Sequence, residues 1–165
     1  MDSQTLTTET VLNWLGQVSD PEVPVLSILD LGIVRDVRIP EPGTVAVTIT
    51  PTYSGCPAMD VISMQIRMVL AAHGVQKVQI GQQLSPAWTT DWMSETGRQK
   101  LKAYGIAPPQ YDANRKRALF EEDTVPCPHC NSADTKLISG FGSTSCKSQY
   151  QCNHCHEPFE HFKCH

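Results

Sequence analysis

The sequence predicts an α+β fold in two parts. The first is a small three-stranded sheet with helices, in the order α-β-β-α-β-α, and the second is a short cysteine-rich β segment. Three observations carry this reading. Apolar residues recur at helical spacing in residues 8–18, 57–72 and 90–104. Runs that alternate apolar and polar side chains lie between them, bounded by proline and glycine. Six of the seven cysteines fall in the last forty residues.

In the first helix, Val11, Leu12, Leu15 and Val18 line one face; Thr8 suits the N-cap and Asp20-Pro21 the end. Residues 20–25 hold too much proline for regular structure. Residues 33–39 and 45–50 alternate across Pro40-Glu41-Pro42-Gly43 and read as an antiparallel hairpin, with Val45, Val47 and Ile49 on one sheet face. The long helix over 57–72 carries Met59, Ile62, Ile66, Val69 and Leu70. Pro57 suits its first turn and Gly74 its end. Residues 75–80 give the third strand. A last amphipathic helix over 90–104 offers Trp92, Leu101 and Tyr104 to the core and stops at Gly105. Residues 108–124 change in composition, with paired prolines, Arg115-Lys116-Arg117 and Glu121-Glu122-Asp123, and read as a solvated linker. The expected domains are therefore 1–107 and 125–165, joined by 108–124.

The chain has 165 residues, 40% of them apolar and 18% charged, as in an ordinary globular protein. A net charge of −4 argues against a general nucleic-acid or anionic-membrane binder. No apolar run approaches the ~20 residues that cross a bilayer, and no basic-then-apolar leader is visible at the N-terminus. A cytoplasmic location is expected. In that reducing setting, closely spaced cysteines read as metal ligands or redox groups before disulfides.

The tail contains Cys127-Pro-His-Cys130 and Cys152-Asn-His-Cys155, with 21 residues between the pairs. Each CxxC puts two sulfurs on one tight turn, and two such turns complete an S4 tetrahedron. A segment this short buries too little apolar surface to fold unaided. A structural zinc supplies on the order of 10 kcal/mol, so Cys127, Cys130, Cys152 and Cys155 are the expected ligands of a zinc ribbon. A closed S4 site favours zinc; a rubredoxin-like iron site is the rival. Cys146 and Cys164 are left over. They read as small buried side chains, with a second metal site, a disulfide or replacement of one quartet member as alternatives. His129, His154, His156, His161 and His165 each read as surface residues; together they keep open a site with one histidine ligand. The tail's basic residues (Lys136, Lys147, Lys163) are balanced by acidic ones (Asp134, Glu157, Glu160), which leaves little drive toward phosphate. Phe141, Tyr150, Phe159 and Phe162 suit a mini-core or a docking surface.

Cys56 stands apart. It follows the turn-rich stretch Thr50-Pro51-Thr52-Tyr53-Ser54-Gly55 and precedes the long helix, at the expected N-cap. Unpaired N–H groups and the helix dipole favour a thiolate there; an inert buried cysteine is the alternative. Asp20 and Glu22 could face this turn, or simply form their own. No histidine stands in a recognisable relation to Cys56, so a cysteine hydrolase lacks its base. Paired carboxylate–histidine motifs for a di-iron centre and a Rossmann glycine fingerprint are also missing, which argues against an oxidising enzyme.

Asp20-Pro21-Glu22-Val23-Pro24, Asp30-Leu31-Gly32-Ile33-Val34 and Thr48-Ile49-Thr50 followed by Cys56-Pro57 resemble the SufT-like family of iron–sulfur assembly factors. Trp92, Ser94, Arg98, Leu101 and Gly105-Ile106-Ala107-Pro108-Pro109 agree with it. Phe141-Gly142-Ser143-Thr144-Ser145-Cys146-Lys147, the CxxC pairs, Glu157-Pro158-Phe159 and Phe162-Lys163-Cys164 extend the resemblance to the PaaD-like family, accessory proteins encoded with the multicomponent phenylacetyl-CoA epoxidase. Ser145 stands where the family pattern has a small residue such as alanine. The resemblance implies a cluster-assembly fold and a non-catalytic maturation role. In that role Cys56, Asp20 and Glu22 would handle iron or a transient iron–sulfur cluster, alone or across a homodimer. The implied client is the epoxidase reductase, which carries a plant-type [2Fe–2S] centre; the oxygenase subunits are further implied partners. A structural or regulatory subunit without cluster handling is the alternative role.

Overall fold

The computed structural model describes residues 6–109 and 124–163. Cys164, His165 and most of the expected linker lie outside the described residues. The chain divides into two compact units, Met1–Trp88 and Thr89–His165.

The first unit opens with helix α1 (Thr8–Leu15). It begins and ends earlier than its apolar spacing suggested. Thr7, not Thr8, is the N-cap, its hydroxyl accepting from the Thr10 N–H, and the helix closes at Gly16. Val18 remains buried, but on the turn that follows. Strands β1 (Val34–Glu41) and β2 (Thr44–Ile49) form the expected antiparallel hairpin, in register Val37 to Val47. β1 runs on through Pro40, so Pro42-Gly43 alone makes the turn. Proline is tolerated there because β1 is an edge strand.

Helix α2 (Ala58–Ala72) crosses over to β3 (Lys77–Gln82), which lies parallel to β2. A parallel neighbour needs such a crossover, and the helix then covers one sheet face. The sheet order is β1-β2-β3. Val45, Val47 and Ile49 of the central strand are buried, as are Met59, Ile62, Ile66 and Leu70 of α2 and Val11 and Leu15 of α1. Buried positions on α2 recur at three- and four-residue steps, the stripe its sequence displays.

The second unit begins with a single 3-10 turn, Thr90–Trp92, followed by α3 (Glu95–Tyr104). The expected continuous helix over 90–104 is thus broken: Met93 is extended and Ser94 caps α3, its hydroxyl accepting from the Gly97 N–H. Leu101 is buried, whereas Tyr104 is 59% exposed and leaves the core. The remaining strands are β4 (Ile106–Ala107), β5 (Thr135–Ser139), β6 (Lys147–Cys152) and β7 (Pro158–Phe162). They form one sheet in the order β4-β7-β6-β5. β5, β6 and β7 are antiparallel neighbours, and β4 adds to β7 in parallel.

Candidate metal centre and cysteine turn

The two CxxC turns are built alike. The N–H of Cys127 donates to the Ser132 carbonyl at 2.9 Å, and that of Cys152 to the Glu157 carbonyl at 3.0 Å. In each, the residue after the second cysteine is left-handed: Asn131 at φ 61° and His156 at φ 63°. This curls both pairs of sulfurs inward. The four Sγ atoms lie within 4.8 Å of one another. Across the turns, Cys127 and Cys155 are 3.7 Å apart and Cys130 and Cys152 3.6 Å. A tetrahedral ion with metal–sulfur bonds of about 2.3 Å needs sulfur–sulfur edges of about 3.8 Å, which these two edges match. Cys127 and Cys152 are buried and Cys130 and Cys155 partly so.

Four thiols this close cannot all ionise alone. The Cys155 N–H, with help from that of His154 and against burial, pulls Cys152 down to about 6. The Glu157 N–H pulls Cys155 the same way, but burial and the neighbouring sulfurs outweigh it and push that thiol up to about 12. The Ser132 N–H acts likewise on Cys130, where burial and Cys152 prevail and raise it. A cation would remove this conflict. Zinc, when bound, supplies structural cross-linking of the two turns.

Among the described residues, this quartet is the one grouping of histidine, cysteine and acidic side chains whose ligand atoms converge. Cys146 is buried elsewhere, its Sγ 3.0 Å from the Thr144 hydroxyl. His129, His154 and His156 are exposed; His161 is buried and meets the edge of Tyr150 at 5.7 Å. Phe159 and Phe162 are buried, whereas Phe141 is 71% exposed under the Lys163 ammonium.

At the end of β6 away from Cys152 lies an ion pair that no sequence signal marked. Lys147 Nζ is 3.0 Å from Glu160 Oε2, with the lysine side chain only 5% exposed. Glu160 Oε1 also accepts from the Ser143 N–H at 2.6 Å. Burial opposes the charge, but Ser143 and Lys147 hold this carboxyl below its usual value. The ion pair joins β6 to β7, and the Ser143 bond ties the loop before β6 to the same carboxylate.

In the first unit, Cys56 sits one residue earlier than expected: Pro57 is the N-cap of α2 and makes no side-chain cap bond. Cys56 closes a turn instead, its N–H donating to the Tyr53 carbonyl at 3.3 Å. Gly55 makes that turn possible at φ 75°, and nothing lies within 4 Å of a Cβ placed there. The thiol is half-buried. Asp20 is buried and forms its own turn, Oδ1 accepting from the N–H groups of Glu22 (2.7 Å) and Val23 (2.9 Å). The Tyr53 hydroxyl lies 3.5 Å from Glu22 Oε1, at the limit of a hydrogen bond. The acidic turn is thus brought to the loop that carries Cys56, through a tyrosine that sequence patterning did not single out.

Two family descriptions match the chain: an iron–sulfur cluster assembly protein over residues 8–80 and a PaaD zinc beta ribbon domain over residues 112–163. A protein of Escherichia coli (strain K12), named as a subunit of a "Putative 1,2-phenylacetyl-CoA epoxidase", is 49% identical over 91% of this chain and 88% of its own. An Fe-S protein maturation auxiliary factor of Porphyromonas gingivalis (strain ATCC BAA-308 / W83) is 40% identical over 58% of this chain and 90% of its own. A conserved hypothetical protein from Thermotoga maritima has a solved structure that superposes with a TM-score of 0.52 at 33% identity. It covers 60% of this chain and 97% of that one.

Proposed function

The chain belongs to the PaaD family of phenylacetyl-CoA epoxidase proteins, and we propose that it is a non-catalytic accessory factor that matures the epoxidase system. It assembles or delivers an iron–sulfur cluster to the reductase component. The observation that carries this reading is the half-buried Cys56 on its glycine turn, joined through Tyr53 to the acidic turn of Asp20 and Glu22. It lies in a domain that matches iron–sulfur cluster assembly proteins. Cys56 supplies a thiolate for iron or a transient cluster. One thiolate cannot complete a cluster's coordination, so a second copy or the client supplies the rest. Asp20 holds the turn and Glu22 offers the nearby carboxylate. Cys127, Cys130, Cys152 and Cys155 hold the structural zinc, and that domain docks the client.

The test is the [2Fe–2S] content of the reductase, by absorbance and EPR, in cells whose only copy of this protein is Cys56→Ser. Cluster loading falls at least several-fold if the reading is right. Full loading would sink it. The relative named as an epoxidase subunit favours a second reading, a structural or regulatory component that handles no cluster. Co-purification with the oxygenase subunits at fixed stoichiometry, with the reductase fully loaded in the Cys56→Ser cells, would replace the first reading with the second.

A further inference from the structure

Residues 81–111 fall between the two family matches. We propose that the end of this stretch, Gly105 to Pro109, is a working part of the metal domain, and that metal loading orders it together with the last turn of α3. This rests on the four-cysteine metal reading.

Three contacts carry the inference. β4 has only two residues, and both pair with β7: Ile106 with Glu160 and Ala107 with His161. A two-residue strand has no stability of its own. Ala107 is fully buried in one cluster with Val125, Cys127, Cys152 and Phe159, so two of its core neighbours are ligand cysteines. Gly105, the left-handed cap of α3 at φ 90°, lies against His129 of the first CxxC turn. A Cβ on Gly105 would stand 3.3 Å from His129 Cε1.

These contacts reach α3. The Gly105 N–H closes the helix onto the carbonyls of Leu101 and Lys102. Arg98 donates from Nη1 to the Pro109 carbonyl (2.5 Å) and from Nη2 to the Thr90 carbonyl (3.0 Å), tying Pro109 through α3 to the 3-10 turn. Within the second unit, α3 packs against β4. A helix of ten residues is too short to persist alone in water. The cluster that seats Ala107 includes the ligand cysteines, and a domain of this size depends on its metal for a core. Losing the metal therefore removes the seat of β4 and unpins the C-terminal turn of α3.

Hydrogen exchange on the full chain tests this, with zinc bound, after chelation, and after zinc is restored. Zinc content is measured in parallel. Peptides covering 101–109 should exchange at least tenfold faster without metal and recover with it, while α2 stays unchanged. Cys152→Ser should show the same loss without a chelator. If β6 and β7 lose protection on chelation but 101–109 does not, the coupling is wrong and the metal reading stands. A chain that binds no stoichiometric metal overturns both. Neither outcome depends on Cys56.

Discussion

At the scale of single residues, chemistry was legible where it is local and hidden where it is tertiary. The CxxC spacing alone named Cys127, Cys130, Cys152 and Cys155, because two sulfurs on one turn meet without help from the rest of the fold. Cys146 should be dispensable for metal: Cys146→Ser is expected to keep about one zinc per chain by elemental analysis, whereas Cys152→Ser loses it. Zinc lost from the first variant and kept by the second would break the quartet. Lys147 and Glu160, by contrast, look like two ordinary surface charges in sequence. Only the pairing of β6 with β7 buries them together. Glu160→Gln leaves a buried ammonium poorly paired. A cost of about 2 kcal/mol is expected, below the ~3–5 of a fully buried pair because Glu160 stays partly exposed. Adding Lys147→Met should recover part of it. The pH dependence follows from the sign of the shift. The folded carboxyl titrates below its unfolded value of 4.5, so its contribution is fully present above that value and is lost as pH falls through the folded one. Melting curves of the parent and Glu160→Gln should therefore converge as the pH falls below 4.5 and through the lower, folded value.

At the scale of elements, long periodic segments were legible and short ones were not. α2 has fifteen residues, with a buried row at Met59, Ile62, Ile66 and Leu70, and its spacing was unambiguous. The stretch over 90–104 has the same amphipathic look, yet Thr89 and Ser94 each offer a cap hydroxyl, and the chain uses both. A cap competes with helix continuation because its side chain satisfies the same N–H groups. Ser94→Ala should therefore cost about 1 kcal/mol, read as a lower melting temperature of the metal-loaded protein. Its metal content should not change. An unchanged melting temperature would mean that α3 does not depend on its cap. β4 carries no pattern at all, since two residues cannot show a period, and its place was set by β7, over fifty positions away.

At the scale of the whole molecule, the two compact units answer to different forces. Residues 1–88 bury an extended apolar core that includes Val11, Leu15, Leu26, Ile28, Ile33, Ile49, Ile62, Ile66 and Leu70. No metal is needed for a core of that kind, because apolar burial at roughly 25 cal/mol per Å² offsets the chain entropy. Residues 89–165 have a smaller cluster in which Cys127 and Cys152 are themselves core members. Removing their metal takes away both the cross-link and the neutralisation of crowded thiolates. Thermal unfolding of the zinc-loaded chain should accordingly separate into two transitions. Chelation should lower or abolish one of them and leave the other within a degree or two. Assignment follows from mutation: Ile66→Ala, which empties a fully buried site on α2, should lower only the metal-independent transition, at a cost of about 2–5 kcal/mol. A single transition that chelation shifts as a whole would mean that the assembly domain also relies on the metal. Cys152→Ser would then impair the role proposed for Cys56 indirectly, and only a variant at Cys56 itself would separate the proposed cluster handling from folding.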